Sequence, residues 1–275
     1  MFVDPAGVWG ESSEWDETLH YESAVDIVTS LMAQCTAVET LAERADDSVV
    51  RDDMGFLRRA YLAELSKLAP DNRAAVARVV RDNGTRLAHV IEASRLQLSA
   101  PPDAGHCRLG YEEHATVFEN RIAPETLARL QTSEQPIAVI VAGQPGSGKT
   151  TTLRHLYRNW DGAAPAFIDP ELYLAYHPRS WDLVLADDAQ AGDIVMGDAL
   201  GWAAMAVELA IQHHSDVLLE VGTNLPDDAN AFATVFQEAG YRVEVELMAV
   251  PEAISKLHLM IRYHCRHGNW QVLSL

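Results

Sequence analysis

The chain of 275 residues is long enough for one large domain or two modest ones, and an apolar content of 48% supports a packed core. A formal net charge of −19 excludes a surface built for nonspecific contact with nucleic acid or anionic membrane, since both need a positive field. Cys35, Cys107 and Cys265 lie far apart and odd in number, so they read as scattered thiols, neither a disulfide framework nor a zinc set. Met1 to Glu17 carries acids without a basic start, and no apolar run approaches a membrane span, so a cytoplasmic setting is expected.

In chain order, apolar residues first recur at helical spacing from Glu22 to Asp47 (Val25, Val28, Met32, Cys35, Val38, Leu41). A second helix is predicted from Met54 to Leu68, ending before Pro70. A third runs from Ala74 to Leu98, with a break predicted at Asn83-Gly84. These helices can bury their stripes against each other, so residues 1–100 read as a small all-α module. The acid-rich stretch Glu43 to Asp53 reads as a solvated connector. Residues 101–110, rich in Pro, Gly and Ala, read as a linker, and 111–275 as a second domain.

That second domain begins with a helix predicted at Val117–Leu130. Ile137–Val141 follows, a continuous apolar run suited to a strand covered on both faces. A helix from Lys149, a strand at Ala166–Ile168, a helix at Ala199–His213 and a strand at Asp216–Leu219 come next. Then come a helix at Pro226–Gln237, a strand at Arg242–Val250 and a helix at Pro251–Arg266, with Trp270–Leu273 suited to a short last strand. The alternation predicts an α/β fold, a three-layer parallel sheet flanked by helices; it does not give the strand order.

Gly143-Gln144-Pro145-Gly146-Ser147-Gly148-Lys149-Thr150 satisfies the phosphate-loop pattern between a strand and a helix. The glycines let backbone N–H groups turn toward phosphate oxygens, and the helix that starts here adds its dipole. Lys149 is expected on the β- and γ-phosphates of ATP, the Thr150 hydroxyl on Mg2+, and Thr151 in the first helical turn beside them.

Further along, Ile168-Asp-Pro-Glu171, Tyr176-His-Pro178, Leu218-Leu-Glu220 with Gly222-Thr223, Gly240-Tyr-Arg-Val243 and Leu259-Met-Ile-Arg-Tyr263 come in succession. Together with the phosphate loop, this order resembles the zeta toxin family, P-loop kinases of bacterial toxin–antitoxin systems, over residues 111–263. The resemblance implies ATP-dependent phosphorylation of a hydroxyl of UDP-N-acetylglucosamine or a related UDP-sugar. It implies Glu171 or Asp169 as the base, Arg262 as a phosphate clamp, and Glu220, Thr223 and Glu208 as acceptor contacts. An antitoxin is implied as partner, in trans or as the N-terminal helices in cis. From the residues alone, Asp169 and Glu171 equally suit capping of the following helix.

The sequence departs from the family pattern at four places. Glu171 stands where the family has aspartate, and Leu174 where it has arginine, with Arg179 nearby. Ala204 stands where it has an acid, with Glu208 one turn later. The sequence ends at Leu275, where the family continues to a second clamping arginine, with Arg266 as a candidate substitute. Two other readings therefore stay open: a nucleotide-binding pseudoenzyme, and a P-loop kinase for another small hydroxyl compound. His213, His214, His264 and His267 read as surface or partly packed imidazoles.

Overall fold

The N-terminal apolar pattern folds into three long helices, α1 (Glu14–Arg44), α2 (Ser48–Lys67) and α3 (Arg73–Arg95). The computed structural model describes residues 14–95, 107–186, 189–222 and 226–266. Helix α1 starts earlier than its apolar stripe and is buried nearly all round. Glu22, Ser23, Asp26, Ser30 and Thr36 are as buried as Ile27 and Met32. A helix closed in on every side is a central element, and its polar residues must find partners within the protein.

The stretch Glu43–Asp53 is not a connector. Asp47 caps α2 by accepting from the Val50 N–H at 3.1 Å, which lets the helix begin inside the acidic run. Nor does Asn83-Gly84 break α3. Gly84 is buried within the helix, and Asn83 donates to Glu64 of α2 at 3.0 Å.

The next helical segment starts and stops earlier than its pattern. It comprises α4 (Tyr111–Val117), a π turn (Phe118–Ile122) and α5 (Ala123–Thr126), with Pro124 in the first turn of α5, where a missing N–H costs nothing. Arg121 of the π turn meets Glu39 and Glu43 of α1, and Arg58 of α2 pairs with Glu39 and with Glu125 of α5.

The remaining elements are β1 (Ile137–Gly143), α6 (Lys149–Arg158), β2 (Ala166–Ile168), α7 (Pro170–Tyr173), a 3-10 turn (Leu174–Tyr176), α8 (Ser180–Ala186) and α9 (Ala189–Gln212). They continue through β3 (Val217–Gly222), α10 (Pro226–Glu238), β4 (Arg242–Met248) and α11 (Glu252–Arg266). Among the described residues the sheet is parallel throughout, in the order β2-β3-β1-β4.

Central strand β1 sends Ala138 and Ile140 into one core, shared with Trp202 of α9 and Phe236 of α10. It sends Val139 and Val141 into another, with Leu153 of α6. Helices therefore cover both faces, which explains the unbroken apolar run and confirms the three-layer α/β expectation. The core on the α9 side also takes in Tyr21 and Leu31 of α1 and Leu65 of α2, so the N-terminal helices and the sheet share buried surface.

One apolar stretch does reach membrane length: Gly192–Gln212 of α9, with mean hydropathy 1.6. Its Ala199, Trp202, Ala203 and Ala206 are fully buried, the profile of a core helix. Cys35, Cys107 and Cys265 are buried, and no disulfide joins them.

Candidate active site

The carboxyl ends of β1, β2 and β3 bring the motif residues to one edge of the sheet. The loop after β1 turns on Gly146 and Gly148, with φ of 73° and 91°, a backbone region that β-carbons disfavour. Helix α11 grips this loop. Ser255 donates to the Pro145 carbonyl at 2.6 Å and His258 Nδ1 to the Gly146 carbonyl at 2.9 Å, while the Gln144 amide donates to the Val250 carbonyl at 2.9 Å. The approach is close enough that a β-carbon at Gly146 would lie 2.7 Å from the Ser255 carbonyl oxygen.

Lys149 and Thr150 open α6 beneath the loop. The Lys149 ammonium reaches the Gln144 carbonyl at 3.3 Å and stands 3.7 Å from Glu220; the Thr150 hydroxyl donates to Glu220 at 2.9 Å. The hydroxyls of Ser147 and Thr151 are buried without a hydrogen-bond partner among the described residues.

Glu220 lies inside β3, not beyond its end. The strand runs on through Gly222, pairing Glu220 with Val141, Val221 with Ala142 and Gly222 with Gly143. Val221, between Glu220 and Gly222, thus sits in regular strand register. Thr223 lies outside the described residues.

Asp169 follows β2 and caps α7, accepting from the N–H groups of Glu171 at 2.9 Å and Leu172 at 3.3 Å. Burial, then the neighbouring Glu171 charge, push its carboxyl up to about 6. Glu220 is raised well above the usual carboxylate range by burial and by Asp169 and Glu171. Three carboxyls thus crowd one end of the sheet against their own repulsion. A divalent cation between Glu220 and Thr150 would relieve it, and oxygen ligands are the set Mg2+ prefers.

Arg262 is no solvated helix arginine. Its side chain is 8% exposed and forms a fork on Asp26 of α1, Nε to Oδ2 at 2.7 Å and Nη2 to Oδ1 at 3.0 Å. Nη2 also reaches Glu171 at 2.6 Å, and Nη1 is 3.9 Å from Glu22. Burial works against its charge, yet the carboxylates of Asp26, Glu171 and Glu22 hold it firmly ionised.

Beside these groups opens a cleft of about 700 Å³. Lys149, Glu171, Glu220 and Arg262 supply its polar wall; Met196 and Leu200 of α9 and Phe232 of α10 supply much of its apolar one. Leu174 lines it as well. Glu208 does not reach it: that side chain is exposed two turns beyond Leu200 and accepts from Gln212 at 3.3 Å. Ala204 is exposed too. The Arg266 side chain and Trp270–Leu273 lie outside the described residues.

Sequence reasoning missed Glu22, Asp26, Ser255 and His258. The signal for the first two was faint: acids four apart on a helix, at positions that proved to be interior. Nothing in the local pattern marks Ser255 or His258.

Residues 123–270, more than half of the chain, match the family model described as Zeta toxin. The chain is 27% identical over 160 residues to a protein of Enterococcus hirae named Toxin zeta, covering 56% of this chain and 54% of that one. It is 28% identical over 137 residues to Toxin PezT of Streptococcus pneumoniae, covering 48% and 52%. A solved chain from the PezAT chromosomal toxin–antitoxin system of Streptococcus pneumoniae aligns with TM-score 0.49 at 21% identity, over 62% of this chain and 70% of that one. The chain spans about half the length of the curated relatives it matches. With the family model covering most of the phosphate-loop domain, the chain belongs to the zeta toxin family.

Proposed function

We propose that the chain is an ATP-dependent phosphotransferase. It transfers the γ-phosphoryl group to a hydroxyl of a UDP-sugar, with UDP-N-acetylglucosamine as first candidate, and acts as the toxin of a toxin–antitoxin pair. The observation that carries this reading is the meeting of Lys149, Thr150, Asp169, Glu171, Glu220 and Arg262 at one sheet edge beside a deep cleft.

In this reading residues 143–151 bind the triphosphate through backbone N–H groups, with the buried Ser147 and Thr151 hydroxyls available as further donors. Thr150 and Glu220 would hold Mg2+, which neutralises charge on the phosphates. Glu171 faces the cleft and accepts the proton of the acceptor hydroxyl, while Asp169, committed to two backbone N–H groups, fixes the turn that aims it. Lys149 and Arg262 meet the charge on the transferring group. The acceptor occupies the cleft, its sugar hydroxyls toward Glu171 and Glu220 and its flatter parts against Met196, Leu200 and Phe232.

Transfer from labelled ATP to UDP-N-acetylglucosamine, compared with Lys149→Ala and Glu171→Ala, tests the reading. Transfer lost in both variants supports it. A folded wild type that binds ATP and phosphorylates no UDP-sugar sinks the acceptor assignment. It would favour the pseudoenzyme reading, for which Leu174 in the cleft wall is the motivating observation.

A further inference from the structure

Helix α1 brings a carboxylate to Arg262 on a rigid support. Tyr21, Ala24, Ile27 and Val28 of its first half are fully buried core, and Thr36 further along donates to the Ala175 carbonyl at 2.7 Å. An acid on such an element is held in one place, and Asp26 is itself buried. It accepts from Nε of Arg262 at 2.7 Å and from Nη2 at 3.0 Å.

A guanidinium carries five N–H donors in one plane. Asp26 takes one from Nε and one from Nη2, and Glu171 takes another from Nη2 at 2.6 Å. Glu22 stands 3.9 Å from Nη1, beyond hydrogen-bond length, so among the described residues Nη1 keeps both of its hydrogens unspent. Arg262 and Glu171 line the cleft of about 700 Å³, and Asp26 does not. Asp26 lies instead in the wall of a second cavity, of about 260 Å³, that also touches Glu171. The carboxylate thus holds the guanidinium without taking its place in the cleft.

We propose that Asp26 is a positioning residue for phosphoryl transfer: it fixes the plane of the Arg262 guanidinium so that Nη1 meets the γ-phosphoryl group while Nη2 steadies Glu171. The proposal rests on the phosphotransferase reading. Asp26 lies outside residues 123–270, which match the family model, so a helix of the N-terminal module completes the site in this chain. Without that carboxylate the fork has Glu171 as its remaining close acceptor, which turns the guanidinium off the phosphoryl group and ties up the base. Glu22 and Glu171 still face the guanidinium in Asp26→Asn, so the variant leaves no buried cation unpaired and should fold.

The test measures transfer from labelled ATP to UDP-N-acetylglucosamine by the full chain, in a cycle of Asp26→Asn with Arg262→Lys. Asp26→Asn should lower kcat about 10–100-fold, the scale of misplacing a group by about 1 Å, with KM for ATP changed less than about threefold. In the Arg262→Lys background the same change should cost less than about twofold, because the group that Asp26 orients is gone. Unchanged kcat in Asp26→Asn, or equal losses in both backgrounds, overturns the proposal and leaves the phosphotransferase reading standing. A folded wild type that phosphorylates no UDP-sugar overturns both. A second measurement needs no variant: NMR of the Arg262 Nε–H in the wild type. With Mg2+ and a non-hydrolysable ATP analogue at saturation, that proton must stay protected from exchange, since Asp26 keeps hold of it. Protection lost on nucleotide binding means that Asp26 lets go, and overturns the proposal whatever the variant does.

Discussion

Asp26 and Arg262 stand 236 positions apart in the chain and share two hydrogen bonds, of 2.7 and 3.0 Å, in a buried setting. The pair joins α1 to α11, the helix that also grips the phosphate loop. It also assembles a cluster in which one guanidinium balances Glu22, Asp26 and Glu171. Such a cluster is asymmetric in its energetics: its net worth is small, yet removing the guanidinium takes the main counter-charge from the buried carboxyls of Glu22 and Asp26.

Arg262→Ala is therefore expected to destabilise the fold by about 3–5 kcal/mol, the usual cost of breaking a buried pair. In a chain of this size that lowers the melting temperature by roughly 10 °C. Arg262→Lys retains the charge but not the fork and should recover part of the loss. Thermal melts of the three proteins check this; a melt for Arg262→Ala equal to wild type would contradict the buried cluster.

Lys149→Met separates chemistry from stability. Lys149 faces Glu220, whose burial already disfavours its charged form, so losing the ammonium strands no firmly ionised partner. Phosphoryl transfer should vanish, while the melting temperature stays within about 4 °C of wild type, equivalent to about 1 kcal/mol. Calorimetry together with the transfer assay tests both halves.

The pH dependence of stability follows from Glu22. Burial is the main cause that raises its carboxyl from 4.5 to about 7, against the opposing pull of Arg262 and with added repulsion from Glu171 and Asp26. Asp169, at about 6, and Glu220 shift in the same direction. Between about pH 4.5 and 7 the folded protein thus binds more protons than the unfolded chain. The stabilisation is complete below the unfolded values and is lost as pH rises through the folded ones. Melting temperature should fall from pH 5 to pH 8, and Glu22→Gln should flatten that slope. A wild-type slope rising over this window would overturn the assignment.

Glu171→Gln tests the base. Loss of a positioned base costs about 10²–10⁴ in turnover, and the nucleotide affinity should change far less. Glu171→Asp, one methylene shorter, should fall between, since a misplacement near 1 Å costs about a hundredfold. Equal turnover for Glu171→Gln and wild type would move the role elsewhere.

The phosphate loop, the strand–helix alternation and the position of Asp169 and Glu171 after β2 were legible because each is a local pattern. Helix α1 was legible as a helix but not as part of the site. Its stripe of Val25, Val28 and Met32 explains one side, while Glu22 and Asp26 on the other look like ordinary solvated acids until α11 closes over them. Ser255 and His258 were hidden for the same reason, since a grip on a loop more than a hundred residues away leaves no local trace. Glu208 lies outside the cleft because α9 lines it only as far as Leu200, two turns earlier, and both Ala204 and Glu208 are exposed. The acidic run after α1 misled because Asp47 is a cap, and capping residues and solvated ones share a composition.

The contact between α1 and the phosphate loop is itself measurable at Gly148. Its φ of 91° makes any β-carbon cost roughly 1–2 kcal/mol from backbone strain alone. A further penalty arises only if the Thr18 methyl is where the structure puts it, 3.2 Å from that new carbon. Thr18→Gly removes the crowding and leaves the strain. A double-mutant cycle of Gly148→Ala with Thr18→Gly isolates the packing part, because strain at Gly148 is common to both of its arms. A coupling of about 0.5 kcal/mol or more is expected for side chains in contact. A coupling near zero would mean that the Thr18 methyl does not pack on the loop at Gly148 in solution.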